Sequence, residues 1–328
     1  MNKKILISGI KPTGTLHIGN YFGALRQFVD LQNEYDTRVF IADFHAITTV
    51  QDRDTLEKNI YNITCDYLAC GLDPEKIILF QQSSIPEVAE LTWYFNCLTT
   101  VPYLERAHAY KDAVANGKEA TVGLFDYPIL MAADILIQDA DVVPVGTDQK
   151  QHIEFARDIA EKFNRVYSGE NDAIFKLPSA LIMPEVATVI GTDGRKMSKS
   201  YGNTIPLFAT EEEIKKAVMS IPTDSRRPEE EKNPDEMPLF QMHKLFTKKE
   251  DLENLQNEYK QGLSYKDAKE RLIADISAFI TPLRNKREDI FTNRDYVLGV
   301  LKSGGERAKI IAQNKISEIR QKVGVKLY

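Results

Sequence analysis

Two short stretches hold the residues best suited to chemistry. The first, Lys11 to Ala24, reads Lys-Pro-Thr-Gly-Thr-Leu-His-Ile-Gly-Asn-Tyr-Phe-Gly-Ala and closely follows the apolar run Ile5-Leu6-Ile7. Strand, glycine-punctuated turn and helix in that order aim backbone N–H groups and a positive dipole end above the strand, which suits a polyphosphate. Gly9, Gly14 and Gly19 lack a Cβ where the chain turns sharply or a flat ring comes close. His17 has a ring N–H to offer a phosphate oxygen. An ordinary strand-to-helix connection with a surface histidine would carry the same glycines. The second stretch, Gly191 to Asn203, is a polar loop in which Lys196 and Lys199 bracket Met197 and Ser198. Alone it reads as solvated surface. Beside a phosphate turn it predicts a mobile clamp whose ammonium groups neutralise charge building on a leaving pyrophosphate.

Three further places have the right residue types. Asp134 is a single carboxylate in the apolar segment Tyr127-Pro-Ile-Leu-Met-Ala-Ala-Asp-Ile-Leu. Buried, it requires a donor, which a ligand, a helix cap or an internal salt bridge would supply equally. His45, in Asp-Phe-His-Ala-Ile, leaves a second apolar run and either lines the same cleft or is packed. Gly146-Thr147-Asp148-Gln149 follows Asp141-Val-Val-Pro-Val. A carboxylate there is placed to accept from two ribose hydroxyls, and the glycine lets a sugar approach.

The elements that must position these residues follow from periodicity. Strands are expected at Ile5–Ile7, Arg38–Ala42, Lys76–Phe80 and Asp141–Val145. Helices are expected over 18–34, from a capping box of Asp54 and Glu57 to Gly71, and over 86–98, 127–136 and 151–163. Alternation of this kind predicts an α/β fold, a Rossmann-like parallel sheet whose ligands bind beyond the carboxyl ends of the strands. Residues 104–120, with Lys111 and Asn116-Gly117-Lys118, read as a helix end and a lid loop. Beyond Thr210 charged helical segments replace strands, so a smaller all-helical domain is expected. The divisions are 1–205 for the catalytic domain, 206–295 for the helical domain and 296–328 for a basic terminal helix packing near the core.

Composition bounds the reading. The 328 residues carry a net charge of −6, which argues against wholesale nucleic-acid coating but allows a local basic face near the C-terminus. No apolar run approaches the ~20 residues that span a bilayer, and the N-terminal apolar segment is too short for a secretory signal, so a cytoplasmic protein with no membrane partner is expected. Cys65, Cys70 and Cys97 lack metal-ligand spacing and are expected to be structural thiols, with no metal site. Trp93, the single tryptophan, is expected in the core.

With both loops in view, His17-Ile-Gly-Asn20 and Lys196-Met-Ser-Lys-Ser200 resemble the paired signatures of class I aminoacyl-tRNA synthetases, the first departing only in its final asparagine. Gly-Ile-Lys-Pro-Thr-Gly near the start, Tyr127 to Leu136, Val142 to His152 and Pro222-Thr-Asp-Ser225 narrow the resemblance to the bacterial tryptophanyl-tRNA synthetases. It implies a homodimer that activates L-tryptophan with ATP and Mg²⁺, charges tRNA(Trp) and takes no DNA partner. It implies ATP contacts at Lys11, Pro12, Thr13, Gly19, Asn20, Gly146, Thr147, Asp148, Val189, Lys196, Met197, Ser198, Lys199 and Ser200. His17, Lys196 and Lys199 would act on the phosphates. The lid has Ala113 where a second lysine is frequent, which passes that task to Lys111 or Lys118. Asp134 would accept the indole N–H, while Tyr127, Met131, Val143, Val145, Gln149 and His45 would shape the amino-acid pocket. The anticodon would meet the helical domain. The rivals are a tyrosyl-type synthetase, a non-catalytic paralogue sensing tryptophan or tRNA, and another adenylating enzyme of the superfamily.

Overall fold

Leu6, Ile7, Val39, Phe40, Ile41 and Leu79 are each less than 5% exposed, the burial expected of strands covered on both faces. In the computed structural model these runs form one five-stranded parallel sheet, ordered β3-β2-β1-β4-β5. The strands are β1 (Ile5–Ile10), β2 (Asp36–Ile41), β3 (Ile78–Gln81), β4 (Val142–Val145) and β5 (Ser179–Ile182). The structure describes residues 3–107, 110–111, 120–145, 150–169, 172–182, 189–224 and 233–327. β5 is the strand that sequence reading misses: its four residues are at most half-buried, so it lacks a continuous apolar signature.

The order changes direction between β1 and β4, and such a switch leaves a crevice at the carboxyl ends of those strands. β1 runs into the Lys11 turn and β4 ends at Val145, so both strands open onto that edge. The helix Val122–Leu136, apolar along most of its length, packs with Lys150–Tyr167 on the sheet to form the main core. Thr121 caps it by accepting from the Leu124 N–H at 3.2 Å, and Pro128 lies within its first two turns.

The expected helix over 18–34 is broken: Ile18–Asn20 is followed by a π-helical turn, Tyr21–Leu25, and then by Arg26–Leu31. The wider turn accompanies an aromatic cluster. Phe22 stacks on Phe279 with ring centroids 5.2 Å apart, and Tyr21 meets the same ring edge-on. Phe279 belongs to the 28-residue helix Tyr265–Thr292, so the helical part of the chain rests directly on the turn that bears His17.

Four further expectations need correction. The helix Arg53–Ala69 starts two residues earlier than the Asp54–Glu57 box, because Asp52 accepts from the Thr55 N–H at 2.8 Å and fills the cap. Trp93 is 65% exposed on the helix Glu87–Leu98, facing out although its neighbours Leu91 and Phe95 are fully buried. Several bases of the C-terminal segment have partners within the chain instead of forming a free basic face: Arg320 grips Glu90, Lys315 pairs with Asp139, and Arg307 donates to the Ile77 carbonyl. These bonds tie the helix Arg294–Val323 along β3, where Gly304 lies so close to the Leu79 carbonyl that a Cβ has no room. Cys65 and Cys70 are buried thiols and Cys97 is exposed, so only the first two have the packing expected of structural cysteines.

Candidate active site

The Lys11 turn and the Lys196 loop meet. Ile18 N–H donates to the Ile205 carbonyl at 3.0 Å and Leu207 N–H to the Leu16 carbonyl at 3.0 Å, so the chain leaving the lysine loop forms a short bridge with the chain entering the His17 turn. Lys199 Nζ donates to the Thr13 carbonyl at 2.9 Å. Gly14, at φ +62°, adopts a left-handed conformation that favours glycine, and a Cβ there would lie 3.2 Å from the same ammonium. Gly19 serves by close approach: a Cβ would stand 2.9 Å from His17 Nδ1 and 3.1 Å from Met197 Sδ. The two signatures, far apart in the chain, thus share one packed contact.

His17 is 8% exposed, and its Nδ1 has no hydrogen-bond partner. Burial, reinforced by the Lys199 charge, lowers its pKa to about 4, so the ring is neutral near pH 7. Asn20 Oδ1 accepts from the His17 backbone N–H at 3.0 Å, which gives the asparagine a local role in closing the turn. Burial also lowers the pKa values of Lys11 and Lys199, with the Asp66 carboxylate partly opposing the shift at Lys199.

The lysine loop is held by a residue that sequence reasoning missed. Asn203 is 2% exposed; its Oδ1 accepts from the Ser198 N–H at 2.8 Å, while Nδ2 donates to Asp193 Oδ1 at 2.6 Å and to the Lys196 carbonyl at 3.1 Å. The Asn203 bond, followed by contacts from Arg195, brings the Asp193 pKa down to about 2. Lys196 and Ser200 remain exposed, and Ser200 shares a hydroxyl contact with Ser198. Nothing in the run Ser-Tyr-Gly-Asn marks its last residue as the hub, because the role depends on the loop's fold.

Beside the turn lies a cavity of about 520 Å³, within the range of small-molecule sites. Its wall includes Gly9, Lys11, His45, Tyr127, Met131, Val143, Val145 and His152. The flat ring admitted by Gly9 is that of Phe40, which forms part of the wall. Lys11 Nζ reaches Thr48 Oγ1 at 3.4 Å, and Tyr127 Oη lies 3.1 Å from His152 Nε2. Thr48, Leu124, Ile135 and Ile153 also line the cavity but carried no individual signal in the sequence.

Asp134 is 3% exposed and sits behind this wall rather than in it. Its Oδ2 is 3.0 Å from His45 Nε2, and Gln82 Nε2 donates to both carboxylate oxygens at 2.9 and 2.8 Å. Burial pushes its pKa up, while the His45 and Gln82 contacts pull it down. The internal partners that the sequence left open are therefore present, and His45 joins the carboxylate to the cavity. Gln82 went unrecognised because it lies after β3, far from either signature.

Of the other expected site residues, Pro12, Thr13 and Asn20 belong to the turn. Val189 is buried outside the cavity wall, its carbonyl accepting from the Met197 N–H at 2.8 Å. Lys111 is exposed and does not line the cavity. Gly146, Thr147, Asp148, Gln149, Ala113 and Lys118 lie outside the described residues. Among the described residues no group of three His, Cys, Asp or Glu side chains gathers as a metal cage. No helix among them is long and apolar enough to cross a membrane.

Comparison with known proteins agrees with this geometry. Residues 2–281 match the family described as tRNA synthetases class I (W and Y). The chain is 51% identical over 320 residues to the tryptophan–tRNA ligase of Fusobacterium nucleatum, covering 97% of each chain. It is 46% identical to the tryptophan–tRNA ligase of Rhodopirellula baltica, covering 98% of this chain and 99% of the other. It superposes with a TM-score of 0.92 and 43% identity on the Campylobacter jejuni tryptophanyl-tRNA synthetase crystallised with ADP and tryptophan, covering 98% and 99% of the two chains. A parallel sheet that brings both signature loops to one crevice, matched along nearly its full length by such relatives, belongs to the class I tRNA synthetases of the tryptophan and tyrosine type.

Proposed function

We infer that the protein is a tryptophan–tRNA ligase: it joins L-tryptophan to AMP at the expense of ATP and transfers the tryptophanyl group to tRNA(Trp). The observation that carries the reading is the meeting of the two signature loops, Lys199 Nζ on the Thr13 carbonyl, beside a cavity backed by the His45–Asp134 pair. A tryptophan carboxylate oxygen attacks the α-phosphorus of ATP, the bond to the bridging oxygen breaks, and pyrophosphate leaves with that electron pair. No side chain becomes covalently attached. Positioning and charge stabilisation dominate such a step.

His17, Lys11, Lys196 and Lys199 supply donors and positive charge to the phosphates, with Met197, Ser198 and Ser200 shaping the loop around them. A neutral His17 donates a hydrogen bond without adding a charge. MgATP is the substrate form, its metal held on phosphate oxygens, which suits a hard cation. Tyr127, Met131, Val143 and Val145 enclose the side chain of the amino acid, and Asp134 accepts from the indole N–H.

Selection rests on an unpaired acceptor: phenylalanine would leave Asp134 without the donor it is built to receive, a loss on the order of 10⁴ in preference. Tyrosine offers a hydroxyl donor but a different shape. Pyrophosphate exchange with ATP and each amino acid tests the reading. Tryptophan should support exchange and tyrosine should not; exchange driven better by tyrosine, or by neither, defeats it.

The exposed Trp93, with Val101 59% exposed just beyond the same helix, supports a homodimer that covers this face. The free thiols Cys65, Cys70 and Cys97 accord with the cytoplasm, where the tRNA substrate resides.

A further inference from the structure

The orientation of Gln82 is fixed from both sides. Gln82 is 1% exposed, in the turn Gln82–Ser84 that leaves β3. Its Oε1 accepts from the Phe44 backbone N–H at 3.0 Å. A backbone N–H can only donate, so the oxygen of this amide faces Phe44 and its NH₂ faces Asp134. The turn is itself pinned: Asp43 accepts from the Ser83 N–H at 3.0 Å and from Gln81 Nε2 at 2.7 Å. The Gln82 amide therefore cannot rotate to offer Asp134 an acceptor without stranding the Phe44 N–H, a costly exchange in a buried place.

An NH₂ placed 2.9 and 2.8 Å from the two oxygens of one carboxyl group requires both to accept. An ionised carboxylate offers that in full; a protonated one would have to spend its O–H on His45 Nε2 or on the cavity, and would then meet an indole N–H with fewer free acceptor directions. His45 Nε2 takes a further position on Oδ2. Of roughly four lone-pair directions on a carboxylate, three are then occupied, leaving one on Oδ1.

We propose that Gln82 is a specificity-determining positioning residue: its locked amide keeps both Asp134 oxygens acceptors and sets the direction in which the carboxylate meets the indole N–H. The proposal rests on the reading that Asp134 receives this N–H. The residue does not touch tryptophan; it acts through Asp134. Among the described residues, the charged and titratable groups facing this carboxylate are His45 on the segment Asp43–Ile47 and, more distantly, Asp43, whose charge opposes ionisation.

The test compares tryptophan with its isostere in which ring sulfur replaces the indole N–H, using kcat/KM in pyrophosphate exchange. Gln82→Met keeps the bulk and removes the amide. It should lower the preference for tryptophan over the sulfur analogue by about 10- to 100-fold, the range for losing a hydrogen bond to a charged group. The KM for ATP should stay unchanged, a split that general loosening of the fold would not give. Gln82→Glu gives a second readout. The carboxyl group introduced by that substitution, when protonated, donates to Asp134 as the amide does, so the preference should recover toward pH 6 and fall toward pH 8.5, with wild-type enzyme alongside to account for His45. If Asp134→Asn abolishes the preference while Gln82→Met keeps it within twofold, the role assigned to Gln82 is wrong and that of Asp134 stands. If Asp134→Asn keeps the preference, the reading of Asp134 fails and this proposal fails with it. Should Gln82→Met not fold, a flat pH profile for Gln82→Glu overturns the proposal by itself.

Discussion

The Lys199 ammonium donates to the Thr13 carbonyl at 2.9 Å across 186 residues of sequence. The bond holds the lysine loop over the turn expected to receive ATP, and it occupies a charge that the phosphates would claim. Lys196 and Lys199 are both exposed, so the bond docks the Lys199 ammonium while leaving its side chain open to solvent.

Replacing either lysine with alanine should slow tryptophanyl-adenylate formation by about two to three decades, the typical loss for one preorganised donor. Tryptophan-dependent pyrophosphate exchange measures it directly. A variant running at the wild-type rate would remove that lysine from the clamp.

Gly19→Ala should impair ATP use while leaving the sheet folded. The added Cβ would press on the His17 ring at 2.9 Å and on Met197 Sδ at 3.1 Å, displacing both signatures at once. Overpacking of this kind costs about 1–3 kcal/mol. A raised KM for ATP with an unchanged far-UV spectrum is the expected result, and an unaltered KM speaks against the shared contact.

The neutral His17 gives the fold a pH dependence of known sign. Its folded-state pKa of about 4 lies below the ordinary 6.5, so as pH falls the unfolded chain binds the proton first. The contribution is fully present above about pH 6.5 and is lost progressively as pH drops toward 4. Melting temperatures of wild type and His17→Gln over that window should differ in slope, the variant falling less steeply. Parallel curves would show that His17 titrates normally.

Asn203→Ala should loosen the lysine loop. It strands the Ser198 N–H and the Lys196 carbonyl, at a cost of about 1–3 kcal/mol for each group kept from water. Faster hydrogen exchange at the Ser198 amide, together with slower adenylate formation, is expected. Exchange unchanged from wild type would mean that the loop is organised by other contacts.

Trp93→Glu should halve the mass seen by analytical ultracentrifugation if the exposed face of the helix Glu87–Leu98 meets a second copy of the chain. A charge at the centre of an apolar interface is strongly disfavoured. A variant sedimenting as wild type would direct attention to another face.

The sequence alone determined the strand-and-helix alternation and the two signature loops, because each depends on local patterning: continuous apolar runs for buried parallel strands, glycine and lysine in fixed order for the turn and the loop. It also showed that Asp134, set among apolar residues, would need a donor. The tertiary structure decided which donors those are. Gln82 and His45 reach Asp134 from positions 52 and 89 residues away in the chain, and Asn203 becomes a hub only after its loop has folded around it. The same distinction explains Trp93, whose apolar neighbours suggested burial but whose direction is fixed by the rotation of its helix against the core. Patterning fixes what a segment can become; a buried polar partner or the outward face of a helix depends on which distant segments the fold brings alongside.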